Sequence, residues 1–153
     1  MVYTLGMRKL PTRHELGLID FVTHEALSSL SRDVPLELEA IQSAWPELEH
    51  ALDSLRGRRM MGLIYPASNI YRMSSTRLDR DRDNPLELNE TIVPGGDYLR
   101  LRLRGKAPAV YEQIADAFSV LFELAVHDPS RPHIESYRRE GEIDCLVPTL
   151  RES

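Results

Sequence analysis

Ile41-Gln42-Ser43-Ala44-Trp45-Pro46-Glu47-Leu48 and, 73 residues further on, Ile114-Ala115-Asp116-Ala117-Phe118-Ser119-Val120-Leu121 carry their apolar residues in the same register. Outward from each core, apolar positions fall three and four apart, as one buried face of a helix requires. They are Leu38, Ile41, Trp45, Leu48, Leu52 and Leu55 around the first, and Val110, Ile114, Phe118, Leu121 and Ala125 around the second. Pro46 would delete a hydrogen bond in the middle of the first pattern, at a cost of about 3 kcal/mol. The expectation is therefore that residues 36–44 form a separate turn or two and that Pro46 opens a new segment.

Strand patterns flank both helices. Residues 97–104 alternate Leu99, Leu101 and Leu103 with Arg100, Arg102 and Arg104, the period of two of a half-covered strand, after the turn Pro94-Gly95-Gly96. The matching place in the first half is residues 16–23, rich in Leu, Ile, Phe and Val, followed by a longer polar link through residues 28–33. A strand pair follows each helix: residues 60–65 with 70–74, and 133–138 with 143–148. Trp45 to Gly62 and Phe118 to Glu135 both span 17 residues, so the register persists past the helices. The prediction is an α+β fold of duplicated β-α-β-β units with pseudo-twofold symmetry, with residues 16–77 and 91–149 as the two repeats of one domain over 1–153. A charged linker, 78–90, joins them. A three-stranded unit covered on one side leaves apolar surface open, and pairing two copies closes most of it, with a central ligand cleft between them.

Composition narrows the function. The 153 residues carry 24 acidic against 19 basic side chains, for a net charge of −5, which disfavours direct nucleic-acid binding because such affinity rests on excess Lys and Arg. One cysteine, Cys145, suits a reducing compartment, and neither an export segment in residues 1–10 nor an apolar run of about 20 residues is present, so a cytoplasmic protein without a membrane partner is expected.

Asp79, Asp81, Asp83, Asn84 and Glu90 fit the acidic positions of a calcium loop, but Asn84 stands where glycine is needed and strands are predicted on its flanks; a solvated connector is the preferred reading. The five histidines show no metal-ligand spacing, and neither a nucleophile elbow nor a phosphate loop occurs. No metal and no cofactor are expected. Cys145, in an apolar run, reads as a buried inert thiol.

Glu135 and Tyr137, two apart in one strand, point to the same side of the sheet. If that side lines the cleft, a carboxylate in a partly apolar place invites a cationic ligand. Trp45, Tyr65, Tyr71, Tyr98, Tyr111 and Phe118 are candidate walls, since aromatic rings attract positive charge by about 0.5–2 kcal/mol each. The alternative is a surface glutamate paired with Arg138 or Arg139.

Taken together, Val93-Pro94-Gly95-Gly96-Asp97-Tyr98, residues 102–105, 111–124, Ile134-Glu135-Ser136-Tyr137 and Glu142-Ile143-Asp144-Cys145-Leu146-Val147-Pro148 resemble the GyrI-like small-molecule-binding domain, the effector-binding domain of AraC-type and MerR-type multidrug regulators. The resemblance spans residues 16–149, with Trp45, Gly62 and Tyr65 as its anchors in the first half. It implies a duplicated fold whose groove takes lipophilic, often cationic, aromatic compounds, with Glu135 and Tyr137 facing the ligand. Gly62, at the position equivalent to Glu135, would leave room for that ligand. About 15 residues precede the first strand, too few for a helix-turn-helix, so a standalone binding domain is expected. Binding for sensing or sequestration is the leading function. The alternatives are hydrolysis of electrophilic cyclopropane-bearing natural products, with Glu135 and Tyr137 as catalytic residues, and a protein-interaction role such as gyrase modulation.

Overall fold

The computed structural model describes residues 10–150, so the stretch read above for an export segment lies outside the described residues except at Leu10. Nine strands and two helices follow in the order β1 (Thr12–His14), β2 (Gly17–His24), β3 (Leu27–Pro35), α1 (Leu38–Ala51), β4 (Met60–Tyr65), β5 (Ile70–Thr76), β6 (Asn89–Val93), β7 (Gly96–Arg104), α2 (Ile114–Leu124), β8 (His133–Arg139) and β9 (Glu142–Pro148). The strands form one sheet, ordered β1-β2-β7-β9-β8-β4-β5-β3-β6, with every pairing antiparallel. The fold is α+β.

Residues directly opposite one another in antiparallel strands share a face. The pairings Ile19↔Leu101, Leu101↔Cys145, Cys145↔Glu135, Glu135↔Gly62 and Gly62↔Met73 therefore define one row across the sheet. Both helices pack on the face that carries this row: Ala44, Leu48 and Leu52 from the α1 side and Ala117, Phe118 and Leu121 from α2 join Met73, Leu101, Ile143 and Cys145 in one core cluster. Each fully buried Leu or Ile there contributes about 2 kcal/mol. The opposite face holds a smaller cluster of Met61, Leu63, Val93, Tyr98, Ile134 and Leu146.

Three expectations are corrected. Residues 28–33 are not a link but the body of β3. Ser29 and Ser31, each 1% exposed, look like loop residues, yet Thr91 on neighbouring β6 bridges them, lying 2.8 Å from the Ser29 hydroxyl and donating to Ser31 Oγ at 2.9 Å. Buried hydroxyls that bond across strands tolerate a polar strand in the interior. As a result β3, not β2, is the strand that precedes α1; β2 instead pairs with β7 from Leu18↔Arg102 to His24↔Gly96.

Secondly, α1 runs unbroken through Pro46. The lost hydrogen bond is tolerated because Ala44 and Leu48, on either side, are buried against the sheet. The apolar stripe is also shorter than the spacing suggests: Leu38 is 70% and Leu55 43% exposed.

Thirdly, the connector is not wholly solvated. Asp81, 1% exposed, accepts two hydrogen bonds from the Arg58 guanidinium at 2.7 and 2.8 Å, and Arg58 also reaches Asp53 at 2.8 Å. The Arg58 guanidinium holds the Asp81 carboxyl below the usual carboxylate range. Among the described residues no His, Cys, Asp and Glu cluster is arranged to hold a metal ion, and no helix is long and apolar enough to cross a membrane.

Candidate functional site

The central strands β4 and β8 pair with Gly62 opposite Glu135. Strand alternation sends Glu135 and Tyr137 to the helix-covered face, and Tyr71 reaches the same point from β5. The Tyr71 hydroxyl donates to Glu135 Oε1 at 2.6 Å, and the Tyr137 hydroxyl donates to the same oxygen at 2.9 Å. Trp45, on the half-buried flank of α1, donates its indole N–H to the Tyr71 hydroxyl at 3.2 Å. A chain of donors thus converges on one carboxylate oxygen, leaving Oε2 without a hydrogen-bond donor among the described residues. The rings close over it edge to face: Trp45 lies 6.1 Å from Tyr71 and 5.8 Å from Tyr137, and Tyr111 lies 6.2 Å from Tyr137.

Burial pushes the Glu135 carboxyl above the ordinary carboxylate range, opposed by the two tyrosine hydroxyls that stabilise its charge. Burial, and then the carboxylate itself, pushes Tyr71 and Tyr137 upward, so both phenols stay protonated and act as donors. Among the described residues no arginine pairs with Glu135. Arg139 pairs with Glu142 at 3.1 Å and Arg138 approaches Asp144 at 4.0 Å, so the surface ion-pair alternative for Glu135 is not what the chain adopts.

Above this cluster opens a cleft of about 560 Å³, bounded by Trp45 and Glu49 of α1, Met60 of β4, Tyr111, and Tyr137 with the turn that follows it. Trp45, Tyr111 and Tyr137 form its aromatic wall, and Glu135 lies one layer behind them. Of the three arginines at the rim, Arg58 is held by Asp81 and Asp53, Arg139 by Glu142, and Arg138 more loosely by Asp144 at 4.0 Å, while Glu49 and Glu140 add negative charge.

The expected site residues divide. Trp45, Gly62, Tyr71, Glu135 and Tyr137 come together, with Tyr111 joined through its ring. Gly62 does not leave room for a ligand as expected, because the Tyr71 hydroxyl fills the space: a Cβ at position 62 would lie 2.0 Å from it. Phe118 packs 4.7 Å from the ring of His133, one step along β8 from the cluster, where burial holds the histidine down to about 4. Tyr65 and Tyr98 lie on the opposite face of the sheet, Tyr65 under Arg72 and Tyr98 under Arg131 with its hydroxyl on the Pro94 carbonyl at 2.6 Å. The opposite parity of residues 65 and 62 in β4, and of 98 and 101 in β7, is the signal that places them there. Cys145, opposite Glu135 on β9, is a buried thiol pushed up by that burial.

With this sheet and its two helices on one face, the chain is comparable with known structures. Three of those that share its fold serve as examples. The first is an integron cassette protein from the mobile metagenome of Vibrio cholerae, 13% identical, with a TM-score of 0.61 over 86% of this chain and 95% of that one. The second is SAV2435 bound to tetraphenylphosphonium, 12% identical, with a TM-score of 0.63 over 86% and 93%. The third is a Staphylococcus aureus MU50 protein named for transcription regulation, 9% identical, with a TM-score of 0.60 over 85% and 96%. No protein-family model and no curated protein matches the sequence.

Proposed function

We propose that this protein binds lipophilic, cationic aromatic compounds in the helix-side cleft, as a cytoplasmic GyrI-like domain that senses or sequesters them. In this reading the halves are duplicated about a pseudo-twofold axis between β4 and β8, since β3-α1-β4-β5 and β7-α2-β8-β9 occupy equivalent places on either side of that pair. The observation that carries the reading is the Glu135 carboxylate, enclosed by Trp45, Tyr71 and Tyr137 with no basic partner among the described residues. An enclosed carboxylate is unfavourable in its charged form unless a cation compensates it. A lipophilic cation supplies that charge while its apolar body covers the aromatic wall, at about 25 cal/mol per Å². The tetraphenylphosphonium held by SAV2435, which has this fold, is a compound of that chemistry.

Titration with tetraphenylphosphonium, followed by the fluorescence of the single tryptophan Trp45, tests this. Glu135→Gln is expected to weaken binding about tenfold, the loss of one buried charge interaction. Because a cation prefers the ionised carboxylate, and burial raises the Glu135 pKa, wild-type affinity rises with pH above the ordinary carboxylate range while Glu135→Gln stays flat. His133, held at about 4, remains neutral there. Equal affinity and equal pH response in both proteins remove the glutamate from the account. Turnover of a cyclopropane-bearing electrophile, abolished by Glu135→Gln while binding persists, would establish hydrolysis in place of simple binding.

A further inference from the structure

The sheet face turned away from the helices carries a second cavity, of about 340 Å³. Its floor is apolar, made by Met61, Ile134 and Leu146, each at most 4% exposed. Its walls are cationic: Arg100 and Arg102 from β7, Arg59 just before β4, and Arg138 near the end of β8. Asp20 clasps Arg100 through two bonds of 2.9 and 2.7 Å, and Asp144 takes Arg102 at 3.1 Å. Arg138 approaches the same Asp144 only to 4.0 Å, and the Arg59 side chain makes no hydrogen bond or ion pair with any described residue. Even with Glu25 at the mouth counted, four guanidiniums exceed the carboxylates around them, in a chain of net charge −5.

An independent observation points to the same place. Ser136 is 3% exposed and lines this cavity, and its hydroxyl makes no hydrogen bond to any described residue. It is not among the buried atoms left without a partner, so its oxygen keeps surface open to the cavity. It stands beside the apolar floor, near the free Arg59 guanidinium and the loosely held Arg138, where an oxyanion would accept from the hydroxyl and the guanidiniums together.

We propose that this cavity binds a small organic anion, with a carboxylate head on Arg59, Arg138 and the Ser136 hydroxyl and an apolar body against Met61, Ile134 and Leu146. Guanidinium matches the planar, two-oxygen carboxylate, and the apolar floor selects an organic acid over an inorganic ion, which would leave that surface uncovered. The site lies on the opposite face of the sheet from the helix-side cleft, with Arg138 at the rim of both, and does not depend on that cleft's function. Strand β8 serves both, sending Glu135 and Tyr137 to one face and Ser136 to the other.

The probe is 2-naphthoate, compared with the uncharged 2-naphthamide, by calorimetry and amide chemical-shift mapping. The naphthoate is expected to bind about tenfold tighter than the amide and to shift signals around Ser136 and Leu146. The exposed pair Arg59→Ala/Arg138→Ala loses about tenfold, Ser136→Ala weakens binding, and Glu135→Gln leaves it unchanged. Equal binding of the two probes, shifts confined to the helix side, or indifference to the arginine pair overturns the proposal. So does a concentration-dependent dimer broken by the same arginine substitutions, which would assign the face to a second copy of the chain.

Discussion

At position 62 the missing side chain lets Tyr71 reach Glu135. A Cβ there would meet the Tyr71 hydroxyl at 2.0 Å, its Cζ at 2.4 Å and Glu135 Oε1 at 2.9 Å, with no way to relax except by moving the phenol. Gly62→Ala should therefore cost about 1–3 kcal/mol in urea unfolding and shift Trp45 emission, because the indole N–H is anchored on that hydroxyl. Unchanged stability and emission would mean that Tyr71 has another place to go. The side on which Glu135 and Tyr137 lie is legible from strand parity, and so is their nearness to each other. That Tyr71 is the second donor is not legible, because it arrives from a strand 64 residues away in sequence.

Among the elements, the helices and the strand pairs after them are readable from periodicity, whereas β3 and the connector are not. In both of the latter the local composition is polar and the compensation is remote: Ser29 and Ser31 bond to Thr91, and Asp81 bonds to Arg58. A polar stretch therefore reads as solvated until its partner is placed. The Arg58 side chain is fully buried, so deleting Asp81 removes its buried partner and leaves that interior charge with only the half-exposed Asp53. Asp81→Ala is expected to lose about 3 kcal/mol of stability and to expose the connector to protease, whereas Arg104→Ala, which removes an exposed side chain's pair with Glu142, should cost less than about 1 kcal/mol. Comparable losses in the two variants would mean that burial does not set the strength of the Arg58–Asp81 pair.

For the whole molecule, the sheet pairings that matter most are those between the halves. Strand β2 pairs with β7, β3 with β6, and β4 with β8, so each half supplies an edge strand to the other. A chain tied in this way has no half that can complete its sheet alone, and cooperative unfolding follows. Trp45 and Cys145 each occur once in their residue type and lie one in each half, the thiol fully buried. Loss of Trp45 fluorescence and gain of Cys145 labelling should share one urea midpoint; a thiol that reacts well before the fluorescence changes would show halves that open separately.

The sequence by itself determined two amphipathic helices, the strand pairs that follow them, and a glutamate and tyrosine on a common strand face. Those depend on residues two to four positions apart, whose relative direction is set by helix and strand geometry. Only the tertiary structure decided that β3 is a strand, that β2 and β6 cross to the opposite half, that Gly62 makes way for Tyr71, and that Tyr65 and Tyr98 face away from Glu135. Those depend on which distant strands become neighbours, a choice made by burial and hydrogen bonding over the whole sheet and carried by no short stretch of chain.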